Sequence, residues 1–333
     1  MFLYSLFRLT SPRLHSAYKK HAAEQSLCKH ELPTFFNNLL SRDIRPSPAK
    51  IPTMQFLTPA ISGAPITPPI LFTCSVFLLL FLLNFNGVDA QSKLLTSHWK
   101  SAAATWYGEP DGDGSSGGAC GYGSLVDVKP LKARVGAVSP ILFKNGEGCG
   151  ACYKVKCLDR SICSRKPVTV IITDECPGCS AGRTQFDLSG AAFTRMAVSR
   201  RLGPSLRNRG EISILFRRTA CKYPGKNVAF HVNEGSTDHW LALLAEFEDG
   251  DGDVGSMHLK QANSQEWLQM RHLWGANWCL NQGPLVGPFS VKITTLSTNR
   301  TLSARDVIPE TGLRKLPTHL ALISSSKSKN RYA

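Results

Sequence analysis

The sequence predicts a mainly β protein of two domains behind an N-terminal leader. Two observations carry this expectation. Between about residues 100 and 220, short apolar runs such as KVKC, VTVIITD and EISILFRR recur among glycine- and cysteine-rich turns. From about 227 to 310 the cysteines thin out, and VAFHV, WLALLAEFE, SMHLKQA, EWLQM, FSVKITTL and TLSARDV alternate with turns such as EDGDGD and NQGPLVGP at sandwich-like spacing. The proline–glycine break in CKYPGKN separates the two patterns. We therefore expect domains at 91–225 and 226–310. The first should be a fold of six or more strands with little helix, its one helical segment, SGAAFTRMAVS, beginning near Ser189.

The leader is read from the apolar run Ile70–Leu83, which is short for a membrane helix of about 20 residues. Val88 and Ala90 stand where a signal peptidase reads small residues, so cleavage is expected between Ala90 and Gln91. Residues 54–90 then form a signal peptide of ordinary length starting at Met54, and residues 1–53 an extended or non-native leader. The competing reading is an uncut signal anchor. A secreted chain with no stable membrane association is the expectation.

The chain is basic, with a formal net charge of +15. Without residues 1–90 it still carries +11, from 31 basic and 20 acidic residues. Such a balance suits an acidic partner. No basic run is interleaved with aromatics, which argues against nucleic acid.

Nine of eleven cysteines follow Ala90, and eight of these fall between Cys120 and Cys221. In an oxidising compartment a dense, even set reads as disulfides. The two-residue spacings of CGAC (Cys149, Cys152) and CPGC (Cys176, Cys179) also suit zinc, but Cys157 and Cys163 interrupt a simple ribbon and secretion argues against metal. Cys279 is the odd one out, expected as a buried free thiol. A cysteine-protease reading fails for want of a free thiolate.

Three local patterns bear on chemistry. Trp106 and Tyr107 are adjacent, so a strand sends them to opposite faces, and one should line a groove or meet solvent. Asp187, in GRTQFDLSG, is a carboxylate behind an apolar residue and before a small-residue turn; it suits half of an acid–base pair or a helix cap. A calcium loop beginning at Asp249 would need Gly sixth and Glu twelfth, but Val254 and Lys260 stand there, so the segment reads as a hairpin turn with exposed acids.

Taken together, TWYG, GGACGYG, GCGACYKVKC, QFDLSGAAF, CKYPGKN, WLALLAEFEDGDGD, HLWGANWC and GPLVGPFSV resemble the plant β-expansins, the family that includes group-1 grass-pollen allergens. The resemblance covers about Ala103 to Pro309. It implies a six-stranded double-psi β-barrel followed by an immunoglobulin-like carbohydrate-binding sandwich, packed to form one long open groove. It implies non-hydrolytic loosening of plant cell walls at contacts between cellulose and matrix glucans such as glucuronoarabinoxylan, by a secreted monomer acting without cofactor. Thr105, Trp106, Tyr107 and Asp187 match groove residues of the family's barrel, and Trp240 and Trp274 match exposed aromatics of its second domain. The family's disulfides would join Cys120 to Cys149, Cys152 to Cys221 and Cys157 to Cys163; the pairing of Cys176 and Cys179 stays open. Asn299, in NRT, is an N-glycosylation acceptor by pattern.

Four departures stand out. Gln185 replaces a usual His, and Ser116 replaces a usual Asp in the glycine-rich loop. The tail 311–333 replaces a Trp-containing closing strand, with THLALISSS as a substitute, and the leader before Met54 is foreign to the pattern. The alternative readings are an endoglucanase-type glycoside hydrolase and a carbohydrate-binding protein without loosening activity. An inverting hydrolase needs two carboxylates, one as acid and one as base. The base would sit near TWYG, where this chain has Gly108, and Glu109, Asp111 and Asp113 are expected to be solvated. Asp187 is thus expected to lack a catalytic partner.

Overall fold

The computed structural model describes Cys28, residues 98–123, Val126, residues 129–132 and residues 134–309. The leader apart from Cys28, the cleavage site and the tail after 309 lie outside the described residues. No described helix is long and apolar enough to cross a membrane.

Six strands close into a barrel in the order β1-β5-β2-β4-β3-β6. They are β1 (Lys100–Tyr107), β2 (Val135–Val138), β3 (Cys152–Cys157), β4 (Val168–Glu175), β5 (Gln185–Ser189) and β6 (Ile212–Arg218). β6 shows why these segments become strands. Ile212, Ile214 and Phe216 are buried while Ser213 faces solvent, the period-2 pattern of a sheet with one wet face. Phe186 packs against Tyr153 and Phe216 with ring centroids 5.4 and 5.1 Å apart, at the centre of a core that includes Val155, Val170, Ile172 and Leu188. The barrel's short helices are α1 (Pro140–Phe143), α2 (Gly190–Thr194) and α3 (Gly203–Arg207). Ser189 caps α2 by accepting from the Ala192 amide at 3.3 Å. The cap is therefore the serine, and Asp187 is left for another role.

The second domain stacks two four-stranded sheets. One has the order β10-β9-β13-β14: β9 (Val254–Lys260), β10 (Leu268–Gln269), β13 (Phe289–Thr295) and β14 (Thr301–Ile308). The other runs β11-β12-β8-β7: β7 (Ala229–Val232), β8 (Leu241–Glu246), β11 (Arg271–Trp274) and β12 (Asn277–Leu280). Phe230, Leu243, Met257, Leu259, Phe289 and Val291 fill the space between. The β11–β12 hairpin was not foreseen as strands. It turns at Gly275, whose φ is +55°, and it buries Asn277 and Cys279 among its apolar residues, which blurs the pattern.

The chain joins Cys120 to Cys149, Cys152 to Cys221, Cys157 to Cys163 and Cys176 to Cys179. Both CxxC motifs are consumed in these bonds. Cys279 corrects the expectation of a free thiol: it is buried, but bonded to Cys28, 251 residues away. Residues so distant are brought together only by the folded chain, so local sequence holds no signal for the link.

The acidic turn before β9 is a second correction. Glu248, Asp251 and Asp253 are buried, not exposed. They form the joint between barrel and sandwich. The Arg218 guanidinium, at the end of β6, donates to the Cys152 carbonyl at 2.9 Å, the Asp251 carbonyl at 2.7 Å and the Asp253 carboxylate at 2.7 Å. Asp253 also accepts from the Ser297 hydroxyl at 2.6 Å, and Asp251 accepts from the Thr298 amide and hydroxyl. The Gly252 amide donates to Glu248 at 2.6 Å. Gly150 of the barrel and Gly252 of this turn lie so close that a Cβ on either would strike the other's carbonyl oxygen. Buried charge is tolerated here because each carboxylate meets donors, and Asp253 meets them from both sides of the joint.

Candidate functional site

The site is built on the parallel pair β1–β5 and on the strand next to it. Register places Thr105 opposite Asp187, and the Thr105 hydroxyl donates to the Asp187 carboxylate at 2.7 Å. Ala137 of β2 pairs with Asp187 on one side and with Asp174 of β4 on the other. Two inter-strand spacings separate the two aspartates at the backbone, about 10 Å. Asp174 is the acidic neighbour that sequence reasoning missed. Its signal was available: it is a carboxylate at the end of an apolar run, VTVIITD.

Charge and burial couple these groups. Burial pushes the Asp187 carboxyl above the ordinary carboxylate range; the Thr105 hydrogen bond opposes this and the Asp174 charge adds to it. Tyr107 is held well above the usual tyrosine value, first by burial and then by the Asp174 and Asp187 charges. The Tyr107 and Thr173 hydroxyls are both buried, and Thr173 lies near enough to pull the Tyr107 value back slightly; neither has another partner among the described residues. Asp174 is fixed by the glycine-rich loop: its Oδ1 accepts from the Ala119 amide at 2.6 Å and its own neighbour's amide, Glu175, at 2.8 Å. Gly118 makes this approach possible, since a Cβ there would fall 2.7 Å from the Asp174 side chain. The result is an array of sugar-sized hydrogen-bonding groups: two carboxylates, the Tyr107 and Thr173 hydroxyls and Thr105.

Trp106 takes the other face of β1. It packs partly buried against the barrel core, its indole N–H donating to the Arg207 carbonyl at 3.0 Å. The structure therefore splits the aromatic pair, with Tyr107 beside the carboxylates and Trp106 anchoring α3. At Gly108, φ is +68° and a Cβ would lie 2.6 Å from the Asp113 carbonyl, so no side chain fits at that point. Glu109, Asp111 and Asp113 are exposed, Asp113 pairing with Lys132 at 3.3 Å. Ser116 is exposed, and Gln185 engages Ser139 through its backbone.

The two aromatics expected in the second domain part company. Trp274 is half-buried, its ring within 2.8 Å of where a Gly121 Cβ would lie, so it sits against the barrel's glycine-rich loop. Trp240 is 2% exposed. It packs with Cys28, Ala242, Cys279 and Leu273, so in the full chain it is a covered residue and not an open platform. The physical reason is the Cys28–Cys279 link, which brings a leader residue onto this part of the sandwich. Trp267 is half-buried, with the Lys292 and Lys260 ammonium groups 4.8 and 5.7 Å from its ring. Asn299 is exposed in the β13–β14 turn, with φ +58°.

Comparison with known proteins follows this geometry. Residues 228–309 match the expansin C-terminal domain, and residues 135–216 match a barrel domain described as lytic transglycolase. The chain is 66% identical to Expansin-B3 of Arabidopsis thaliana over 242 residues, covering 73% of this chain and 91% of that protein. It is 64% identical to Expansin-B16 of Oryza sativa subsp. japonica over 251 residues, covering 75% and 92%. A crystal structure of apo expansin from Clavibacter michiganensis aligns with TM-score 0.51 at 23% identity, over 69% of this chain and 97% of that one. A mutant of that bacterial protein, solved in complex with cellohexaose, aligns equally well at 22% identity. With a closed six-stranded barrel, a following β-sandwich and near-complete coverage of such relatives, the chain belongs to the β-expansin family.

Proposed function

We propose that this protein loosens plant cell walls without hydrolysis, by binding an extended glucan in the barrel groove and displacing its contacts with neighbouring polymers. The observation that carries the reading is the Thr105–Asp187 pair set beside Asp174, Tyr107 and Thr173. Such an array offers several hydrogen bonds to sugar hydroxyls but leaves no place for a base at Gly108. Thr105, Tyr107, Asp174 and Asp187 would hold the sugar, Trp106 would fix the strand from behind, and Trp274 would extend the surface onto the second domain. The cellohexaose bound by the bacterial expansin supports a β-glucan as ligand. We place the protein outside the cell, in the wall, acting as a monomer.

Asp174 keeps a second reading, hydrolysis, in view. An inverting pair stands about 6.5–9.5 Å apart, and Asp174 and Asp187 lie on strands that would permit it. Against this, Asp174 Oδ1 is engaged by two backbone amides, which favours a fixed ligand over a water-activating base. The discriminating experiment measures extension of isolated walls and sugar release from soluble glucan with the same preparation. Extension without sugar release, abolished by Asp187→Asn in a folded protein, is expected. Sugar release that disappears in both Asp187→Asn and Asp174→Asn would establish the hydrolase instead.

A further inference from the structure

We propose that the outer wall of the barrel carries a second polysaccharide site, for uronate-bearing chains, at the end of the barrel away from the Asp174–Asp187 groove. A cross-strand row defines it. Trp99, just before β1, lies under two cations, with Lys156 Nζ 4.3 Å and the Arg217 guanidinium carbon 4.9 Å from its ring centroid. Arg217 of β6 pairs in register with Lys154 of β3, and Lys154 with Thr169 of β4. Thr169 in turn lines a cavity of about 320 Å³ whose walls include Arg134 and Arg195 and no acidic residue. The row crosses three strand spacings, about 14 Å, in a straight line.

What sets this row apart is its arrangement, with cations in register on neighbouring strands and two of them over one indole ring. Among the described residues no carboxylate pairs with Lys154, Lys156, Arg217, Arg134 or Arg195, while Arg183, Arg209, Arg218 and Arg300 all have acidic partners. Lys154, Lys156 and Arg217 are held half-exposed on the sheet's outer face rather than extended into solvent. Cations gathered this way without an internal counter-ion await an external one. The neighbouring tryptophan selects the kind of anion, since its ring offers a flat apolar face to a pyranose beside a carboxylate-binding cation.

Position separates the two sites. Thr169 lies five residues from Asp174 along β4, about 17 Å, and Trp99 six residues from Thr105 along β1, about 20 Å. The groove carries two carboxylates and repels uronates; the row carries only cations and attracts them. One protein would thus hold a neutral glucan at one end of the barrel and an acidic matrix chain at the other. The inference does not depend on whether the groove loosens or hydrolyses its ligand.

The test compares binding to polygalacturonate and to cellulose at low ionic strength. The variant Lys154→Gln/Lys156→Gln/Arg217→Gln is set against a control with the same charge loss at exposed sites elsewhere, Arg201→Gln/Lys222→Gln/Arg305→Gln. The row variant should bind polygalacturonate at least about tenfold more weakly, as expected for three surface cations near an anionic array, with cellulose binding unchanged. The control should lose no more than a few-fold. Trp99→Leu, which keeps every charge, should also weaken polygalacturonate binding. Should the triple variant not fold, single Lys154→Gln and Arg217→Gln variants must each show part of the loss. Equal losses in row and control variants, or an equal effect of the row variant on single-stranded DNA and anionic vesicles, would reduce the row to general polycation behaviour and overturn the proposal.

Discussion

Thr105 and Asp187 face each other across the parallel β1–β5 pair, and the threonine hydroxyl holds the carboxylate at 2.7 Å. This bond favours the ionised form of a group that burial pushes the other way. Thr105→Val keeps the strand shape and removes the donor. The Asp187 pKa should therefore rise in the variant, read by the carboxyl carbon shift in an NMR titration. Glucan binding should weaken about fivefold, the size of one hydrogen bond of roughly 1 kcal/mol. An unchanged pKa would show that Thr105 does not tune the carboxylate.

Glu246, at the end of β8, makes stability depend on pH. It is buried and its pKa is pushed up to about 7, with only Lys226 pulling it back. The unfolded chain releases this proton near the ordinary value of 4.5. Between those values the native state binds more protons, so Glu246's contribution is full below about pH 4.5 and is lost as pH rises towards 7. The loss is at most about 3 kcal/mol. Glu246→Gln should match the parent near pH 4 and melt several degrees higher at pH 7.5. A melting-temperature difference that is the same at both pH values would contradict the assignment.

The joint between the domains depends on a buried charge pair. Arg218 and Asp253 have side chains 14% and 6% exposed. Removing one partner strands the other, so Arg218→Met should destabilise by about 3–5 kcal/mol. Arg218→Met with Asp253→Asn should cost less than the sum of the two single changes. Additive losses in denaturant titrations would mean the two side chains act independently.

The Cys28–Cys279 bond predicts a difference between the full chain and a chain starting at Gln91, the expected cleavage product. The shorter chain lacks Cys28, so Cys279 should be alkylated on unfolding without reductant, as mapped by mass spectrometry. Trp240, now packed with both cysteines, should become more open to acrylamide quenching. Alkylation of Cys279 in the unreduced full-length chain would show that the bond does not form.

Much of the fold was legible because its strands carry their own pattern. VTVIITD and EISILFRR emerge as β4 and β6, and the helix expected near Ser189 begins at Gly190, although its cap is Ser189 and not Asp187. What was not legible depends on partners far along the chain. The acids of EDGDGD look like a solvated turn until Arg218, 35 residues before Asp253, and Ser297, 44 residues after it, are seen to enclose them. Trp240 looks like a surface aromatic because nothing nearby in sequence covers it; Cys28 does. In the site, motif matching found Asp187, but the nearness of Asp174 is a matter of strand order: β2 lies between β5 and β4, although β3 intervenes between β2 and β4 in the chain.

The glycine-to-glycine contact at Gly150 and Gly252 has a mechanical consequence. Two backbones meet there in direct touch, flanked by the Arg218 network. Opening or closing the molecule would tear buried ionic hydrogen bonds from both sides at once. The cost of parting the two faces of this joint is therefore paid in buried polar contacts, not in exposed loop. A side chain larger than hydrogen at either glycine would push the two backbones apart and strain that network directly.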